Sequence, residues 1–198
     1  MIIFIEGPRT SGKTHLIDSF FKQNTNPNVM YYKFKFAKYI DDLGMRDQDS
    51  GPGVHYFSIA NVMTILELNE TVFKDKIIVF DRSIYSAYVW SIYRERMEKW
   101  RLLTEFERLL TSDLYHDCAL VYLTRKEMPA PEKRGKDYFD NFENYEAERA
   151  IFEEVLTRFS KQSEEPSRNN RSLTFKNNFD EASVESFCNL INGLANRV

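Results

Sequence analysis

The chain is poor in the residues that build metal cages and disulfide scaffolds. Its 198 residues hold two cysteines, Cys118 and Cys188, and three histidines, His15, His55 and His116, all far apart and in no metal-ligand spacing. A disulfide framework is excluded, and so sparse a cysteine set is what reducing, intracellular conditions lead one to expect. Long apolar runs are missing as well. The first, Met1 to Ile5, is too short for a signal peptide, and none approaches the roughly 20 residues of a membrane span. Net charge is also scarce, with 27 Lys and Arg against 30 Asp and Glu, or −3. No global field of either sign draws in polymeric nucleic acid or an anionic membrane, so any bound anion must be held by a local site. The expectation is a soluble, cytoplasmic protein with neither of those partners.

Apolar side chains are plentiful. Hydrophobic residues make up 42% of the chain, with 16 Phe and 11 Tyr. That is enough for one core without staples, and the length suits a single domain over residues 1–198. Met1-Ile2-Ile3-Phe4-Ile5-Glu6 reads as a strand buried on both faces, and His15 to Phe21 has helical spacing with Leu16, Ile17, Phe20 and Phe21 on one side. Val29 to Tyr32 reads as a second strand. Asp41 to Gly53, ending in Gly-Pro-Gly, reads as a loop before a helix from about Val54 to Asn69 that carries Phe57, Val62, Ile65 and Leu66. Lys76 to Asp81 is a strand ending in a carboxylate. Ser83 is placed to cap a helix that reaches about Arg96, and another helix spans about Trp100 to Leu114. Cys118 to Leu123 reads as a fourth strand, Arg125 to Asp140 as a basic loop, and about Asn144 to Gln162 as a long charged helix. Ser172 to Lys176 is a weak fifth strand, followed by a helix with Val184, Phe187, Leu190, Ile191 and Leu194 on one stripe. This alternation predicts a parallel α/β sheet with helices on both faces.

The segment Gly7-Pro8-Arg9-Thr10-Ser11-Gly12-Lys13-Thr14 matches G-x-x-x-x-G-K-S/T, the phosphate-binding loop, and it sits where the motif's physics requires, between a buried strand and an amphipathic helix. Its two glycines let the backbone turn N–H groups inward, and the helix N-terminus adds partial positive charge. These eight residues are the candidate ATP site. Lys13 is expected to reach the β- and γ-phosphates, and the Thr14 hydroxyl to ligate magnesium. Asp81, at the end of a neighbouring strand, is the candidate second magnesium ligand; its plain alternative is a carboxylate answering a helix dipole. Arg82, directly after it, suits a site that must hold a second phosphate. No Asn/Thr-Lys-x-Asp follows a late strand, which disfavours a guanine-specific switch. Glu6 either orients magnesium-bound water or satisfies donors at the strand end; we favour the second.

With Phe4-Ile5-Glu6-Gly7 running into the loop, Asp81-Arg82-Ser83-Ile84-Tyr85-Ser86-Ala87-Tyr88, and the basic loop after Leu123, the chain resembles the thymidylate kinase and deoxynucleoside kinase branch of P-loop kinases over nearly its whole length. The resemblance implies a three-layer α/β P-loop kinase fold with a five-stranded parallel sheet and a short basic lid at about residues 125–140. It also implies magnesium-ATP as donor, with Arg82 gripping the phosphate nearest the transfer. Asp81-Arg82-Ser83 looks like a hybrid of the Asp-Arg-Tyr of thymidylate kinases and the Glu-Arg-Ser of deoxynucleoside kinases. Relatives often dimerise, so a homodimer is expected by analogy.

The acceptor follows from chemistry. A sugar hydroxyl needs a base, whereas a monophosphate already offers an anionic oxygen and needs cations. Deoxynucleoside kinases place a Glu just after the second strand; here the segment is Tyr32-Lys33-Phe34-Lys35-Phe36-Ala37-Lys38. Lys33 and Phe34, with Phe57 and Arg82, are the candidate acceptor contacts, against solvated lysines and a core phenylalanine. Arg134, in Lys133-Arg134-Gly135-Lys136, and Arg125 are the candidate lid cations for the transferring group. Two departures stand out. Thymidylate kinases often carry an acid in the loop near the acceptor sugar where this chain has Arg9, and an Arg after Ala-Asn where Ala60-Asn61 is followed by Val62. The expected activity is transfer of the γ-phosphoryl group of ATP to a (deoxy)nucleoside monophosphate. The alternatives are a deoxynucleoside kinase with Asp81 as base and a nucleotide-binding regulator with little turnover.

Overall fold

The computed structural model describes residues 1–33, 52–95, 97–110, 118–125, 142–163 and 171–196. In chain order these form β1 (Ile2–Glu6), α1 (Lys13–Gln23), β2 (Val29–Lys33), α2 (Pro52–Thr71), β3 (Ile77–Asp81), α3 (Ile84–Tyr93), α4 (Lys99–Leu110), β4 (Cys118–Arg125), α5 (Phe142–Ser163), β5 (Arg171–Asn177) and α6 (Glu181–Ala195). The five strands make one parallel sheet in the order β2-β3-β1-β4-β5, with β1 at the centre.

Strand alternation sorts side chains into two cores. Ile2, Phe4, Ile78, Phe80, Leu120 and Tyr122 face one way and pack with residues of α2, α3, α4 and α5. Ile3, Ile5, Val79, Val121 and Leu123 face the other way, onto α1 and α6. The continuous apolar runs of β1 and β3 follow from burial on both faces. His55, fully buried, ties three helices of the first core together: its Nδ1 lies 2.9 Å from Ser91 Oγ on α3, and its Nε2 lies 3.6 Å from Glu105 on α4.

Several boundaries differ from expectation for local reasons. Pro52-Gly53 is the first turn of α2 rather than a stop before it, since proline lacks an N–H that the first turn would leave unpaired anyway. Phe57 lies off the buried stripe of α2, which runs through Val54, Ser58, Ile59, Val62 and Leu66; Phe57 is exposed. Helix α3 ends at Tyr93, where Arg94 N–H bonds back to Trp90 O and Glu95 turns to a φ of 50°. Arg125, expected to open the basic loop, is instead the last residue of β4, because β5 pairs with β4 as far as the Arg125–Asn177 row. The fifth strand is seven residues long, its register held by that same pairing. Phe34, Arg96, Lys126, Leu114 and Lys133-Arg134-Gly135-Lys136 lie outside the described residues, as does the remainder of the expected lid.

Candidate active site

The segment after β1 closes into a cradle against the ends of β4 and β5. Gly7 has a φ of 145°, and a Cβ there would lie 2.3 Å from the Leu123 carbonyl oxygen. Gly12, at φ 86°, is the N-cap of α1, where a Cβ would meet Asn177 Nδ2 at 2.2 Å. Only glycine fits either position. Gly12 brings no side chain to cap α1, and the first turn of α1 has no acid. The helix therefore presents its N-terminal donors and dipole toward the loop, as anion binding requires. Thr10 holds a φ of 64°, a strained setting for a β-branched residue. Asn177 Nδ2 donates to the Ser11 carbonyl at 3.0 Å, and Arg125 Nη1 donates to that of Thr10 at 2.7 Å. The Arg125 guanidinium also lies 4.3 Å from the centre of the Phe179 ring.

Lys13 is buried beneath this loop. Its Nζ donates to Gly7 O at 2.6 Å, Pro8 O at 2.7 Å and Ser11 Oγ at 3.1 Å. Burial, with the Arg82 charge nearby, pulls the Lys13 ammonium down to about 7, against the opposing pull of Glu148, Glu6 and Asp81. The lysine is thus poised to gain charge when a polyanion enters.

Two carboxylates stand at the strand ends on opposite faces of the sheet. Asp81, on the α1 face and nearly fully buried, has Oδ2 accepting from Thr14 Oγ1 at 3.3 Å and Tyr31 OH at 3.1 Å; Lys33 Nζ is 3.8 Å from the same oxygen. Burial and the Asp81 charge hold the Tyr31 phenol protonated, well above its ordinary value. Glu6 faces α3. Its Oε1 accepts from Ser83 N at 2.6 Å, Ser83 Oγ at 2.7 Å and Ser86 N at 3.2 Å, while Oε2 accepts from Ser86 Oγ at 2.6 Å. Burial pushes the Glu6 carboxyl up, and the serine hydrogen bonds oppose that rise. Glu6 therefore satisfies donors at the start of α3, the role favoured from sequence. The same contacts correct the expectation for Ser83. It occupies the N-cap position, but its side chain makes no cap bond, because a carboxylate is the stronger acceptor and β1 delivers one there.

A hard divalent cation fits Thr14 and Asp81. They offer a hydroxyl and a carboxylate, already in contact, at the mouth of the cradle, and magnesium is typically held by one or two protein groups together with substrate phosphates. Among the described residues no group of three or more His, Cys, Asp or Glu forms a cage made wholly by protein. A groove of about 670 Å³ between α1 and α6, lined by Phe20, Gln23, Asn24 and Cys188 among others, contains none of the cradle residues.

No protein-family model matches the chain, and no curated protein matches its sequence. Solved structures do match. A thymidylate kinase from Candida albicans superposes with a TM-score of 0.62 at 17% identity, covering 100% of this chain and 93% of that one. A deoxyadenosine kinase from M. mycoides, solved with dCMP and dCDP products, gives 0.56 at 16% identity with both chains fully covered. The NadR protein in complex with NR gives 0.58 at 12% identity over 98% of this chain and 49% of that one.

The chain has the P-loop kinase fold.

Within that fold, the described members of the sequence-derived set divide clearly. Gly7 to Thr14 form the P-loop, and Lys13, Thr14 and Asp81 converge there. Arg82 follows Asp81 at a φ of 69°, with Nη1 3.2 Å from Ser86 Oγ. Lys33 meets Asp81. Phe57 is exposed on α2. Arg9 sends its guanidinium onto the Trp90 ring, 4.7 Å from its centre. Sequence reading missed Tyr31, Asn177, Phe179 and Glu148. Glu148 is 1% exposed on α5, with Oε2 accepting from the Arg9 N–H at 3.3 Å; Oε1 is buried without a hydrogen-bond partner among the described residues. No helix among the described residues is long and apolar enough to cross a membrane.

Proposed function

We propose that this protein is a magnesium- and ATP-dependent nucleotide kinase that moves the γ-phosphoryl group of ATP onto a (deoxy)nucleoside monophosphate. The observation that carries the proposal is the meeting of Thr14 and Asp81, 3.3 Å apart, beside the buried Lys13. In this reading the loop amides and the α1 N-terminus bind the β- and γ-phosphates of ATP. Lys13 leaves the Gly7 and Pro8 carbonyls for the phosphate oxygens and takes up its full charge. Thr14 and Asp81 would hold the magnesium ion, which when bound supplies positive charge to the β- and γ-oxygens. Arg82, fixed through Ser86, grips the acceptor phosphate, and Arg134 and Arg125 are the cations assigned to the transferring group.

Asp81 accepts from Thr14, which assigns the carboxylate to the metal rather than to the base that a nucleoside 5′-hydroxyl needs, and so favours a monophosphate. Glu148 then supplies, from α5, the acid that Arg9 does not supply from the loop, and its Oε1, without a hydrogen-bond partner among the described residues, is assigned to a hydroxyl of the acceptor sugar. Phe34 and Phe57 remain candidates for stacking on the base, and a homodimer and a cytoplasmic setting are carried over by analogy.

Purified protein offered magnesium-ATP with a panel of nucleosides and monophosphates, scored by ADP release and repeated with Lys13→Ala, tests the reading. Turnover on monophosphates alone, lost in the variant, supports it. Turnover on nucleosides alone rejects it, and ATP binding without turnover on any acceptor points to a regulator. Size-exclusion with light scattering at micromolar concentration tests the dimer.

A further inference from the structure

The end of β2 places two side chains on the carboxylate that the proposed function gives to the metal. Val29, Tyr31 and Lys33 alternate onto the α1 face of the sheet, and the parallel register sets Tyr31 beside Val79 and Lys33 beside Asp81. Tyr31 is held from behind by Phe21 of α1, the rings stacked at 5.2 Å and 25°. Its hydroxyl, the Thr14 hydroxyl and the Lys33 ammonium all address one oxygen, Asp81 Oδ2, at 3.1, 3.3 and 3.8 Å. An ammonium and a divalent cation sharing one carboxylate oxygen repel each other, so the two compete for Asp81. Lys33 is able to yield, because its side chain is 44% exposed on an edge strand, whereas Tyr31 is wedged against Phe21 and stays.

We propose that Lys33 is the resident counter-cation of Asp81. A divalent cation held by Thr14 and Asp81 displaces it, and the freed ammonium moves to the phosphate of the acceptor, so loading the metal nucleotide prepares the acceptor site. The proposal rests on the kinase reading above and adds an order to it. Lys33 is a positioning residue for the metal and a binding residue for the acceptor, used in turn, and Tyr31 keeps the carboxylate aimed while the cations exchange.

The test uses the full chain with ADP and Mn²⁺ as the metal probe, free Mn²⁺ being read by electron paramagnetic resonance. Lys33→Met should bind Mn²⁺ in the ADP complex about two- to fivefold more tightly, the range expected for removing a partly exposed competing pair. Lys33→Arg keeps the charge and should return to the wild-type value. In parallel, equilibrium binding of a deoxynucleoside monophosphate that the wild-type protein phosphorylates is measured with ADP, before and after adding metal. The wild type should gain acceptor affinity on metal addition, and Lys33→Met should lose most of that gain. Unchanged Mn²⁺ affinity in Lys33→Met, or an acceptor gain that survives in it, overturns the proposal and leaves the kinase reading standing. A wild-type protein that binds no Mn²⁺ with ADP overturns both.

Discussion

Replacing Glu6 separates support from catalysis at the centre of the site. The side chain is fully buried and accepts from two main-chain N–H groups at the start of α3 and from the hydroxyls of Ser83 and Ser86. In Glu6→Ala the hydroxyls can rotate to other acceptors, but the N–H groups of Ser83 and Ser86 cannot. Each orphaned buried donor costs about 1–2 kcal/mol, which already contains the lost cap. The space left by the side chain adds about 1 kcal/mol, and relief of the buried charge returns a similar amount. The expected loss is about 2–4 kcal/mol, or a fall in Tm of roughly 4–16 °C for a chain this long. Glu6→Gln keeps one oxygen for the N–H groups and presents an amide to Ser86, whose hydroxyl can accept instead of donate, so it should cost only about 1 kcal/mol. Urea or thermal unfolding of the three proteins, with turnover measured on the same samples, gives the answer. A Glu6→Ala loss below about 1 kcal/mol would refute the capping role. So would a Glu6→Gln protein of wild-type stability with turnover down more than about a hundredfold, since Glu6 would then be serving the reaction itself.

Three further outcomes follow from the same geometry. Lys13 gives up its proton at about 7 in the folded chain but near its ordinary 10.5 when unfolded, so the unfolded state binds more protons between those values and stability rises with pH across that window. Lys13→Met removes this titration but also leaves the Gly7 and Pro8 carbonyls without their donor, so its stability relative to the wild type should be most favourable below pH 7 and should fall steadily toward pH 10 in urea midpoints; calorimetry in buffers of different ionisation enthalpy should show proton uptake when ADP binds the wild type above pH 7. Gly12→Ala must force a Cβ into Asn177 and the Phe179 ring from a φ of 86°, and should cost more than about 2 kcal/mol, while Gly53→Ala, with nothing within 4 Å, should stabilise by about 0.5–1 kcal/mol in thermal melts. Arg125→Ala removes a hydrogen bond to the Thr10 carbonyl and a ring contact with Phe179, and should weaken ADP binding by about five- to thirtyfold in equilibrium titration; an unchanged affinity would mean the P-loop needs no brace from β4.

What could be read from the sequence was what local rules decide. The P-loop announced itself because its glycines, lysine and threonine are consecutive, and β1 and β3 because burial on both faces leaves an unbroken apolar run. The missed residues act over long separations. Asn177 reaches Ser11 across 166 positions, and nothing near Asn177 marks it. Glu148 is one acid among several on α5; Glu146, two residues away, has a side chain 41% exposed, whereas Glu148 is buried, and only the packed helix tells them apart. Ser83 misled for the complementary reason: its local pattern is that of a cap, and an acid 77 residues away takes the role.

Much of the rest becomes legible once strand order is known, because alternation of two assigns every strand-end side chain to a face. Counting from a residue of the α1 core, Val79 leads to Asp81, Val29 to Tyr31 and Lys33, Leu123 to Arg125, and Phe175 to Asn177. Counting from Phe4 in the opposite core leads to Glu6. The four strands ending on the α1 face supply side chains that touch the P-loop or Asp81, and β1 supplies the carboxylate that anchors α3 behind them. A single residue inserted into β2 before Tyr31 would turn Tyr31 and Lys33 to the α3 face and strip Asp81 of two of its three partners among the described residues. The chemistry proposed for the carboxylate thus depends on the same period-two pattern that buries Val29 and Val79.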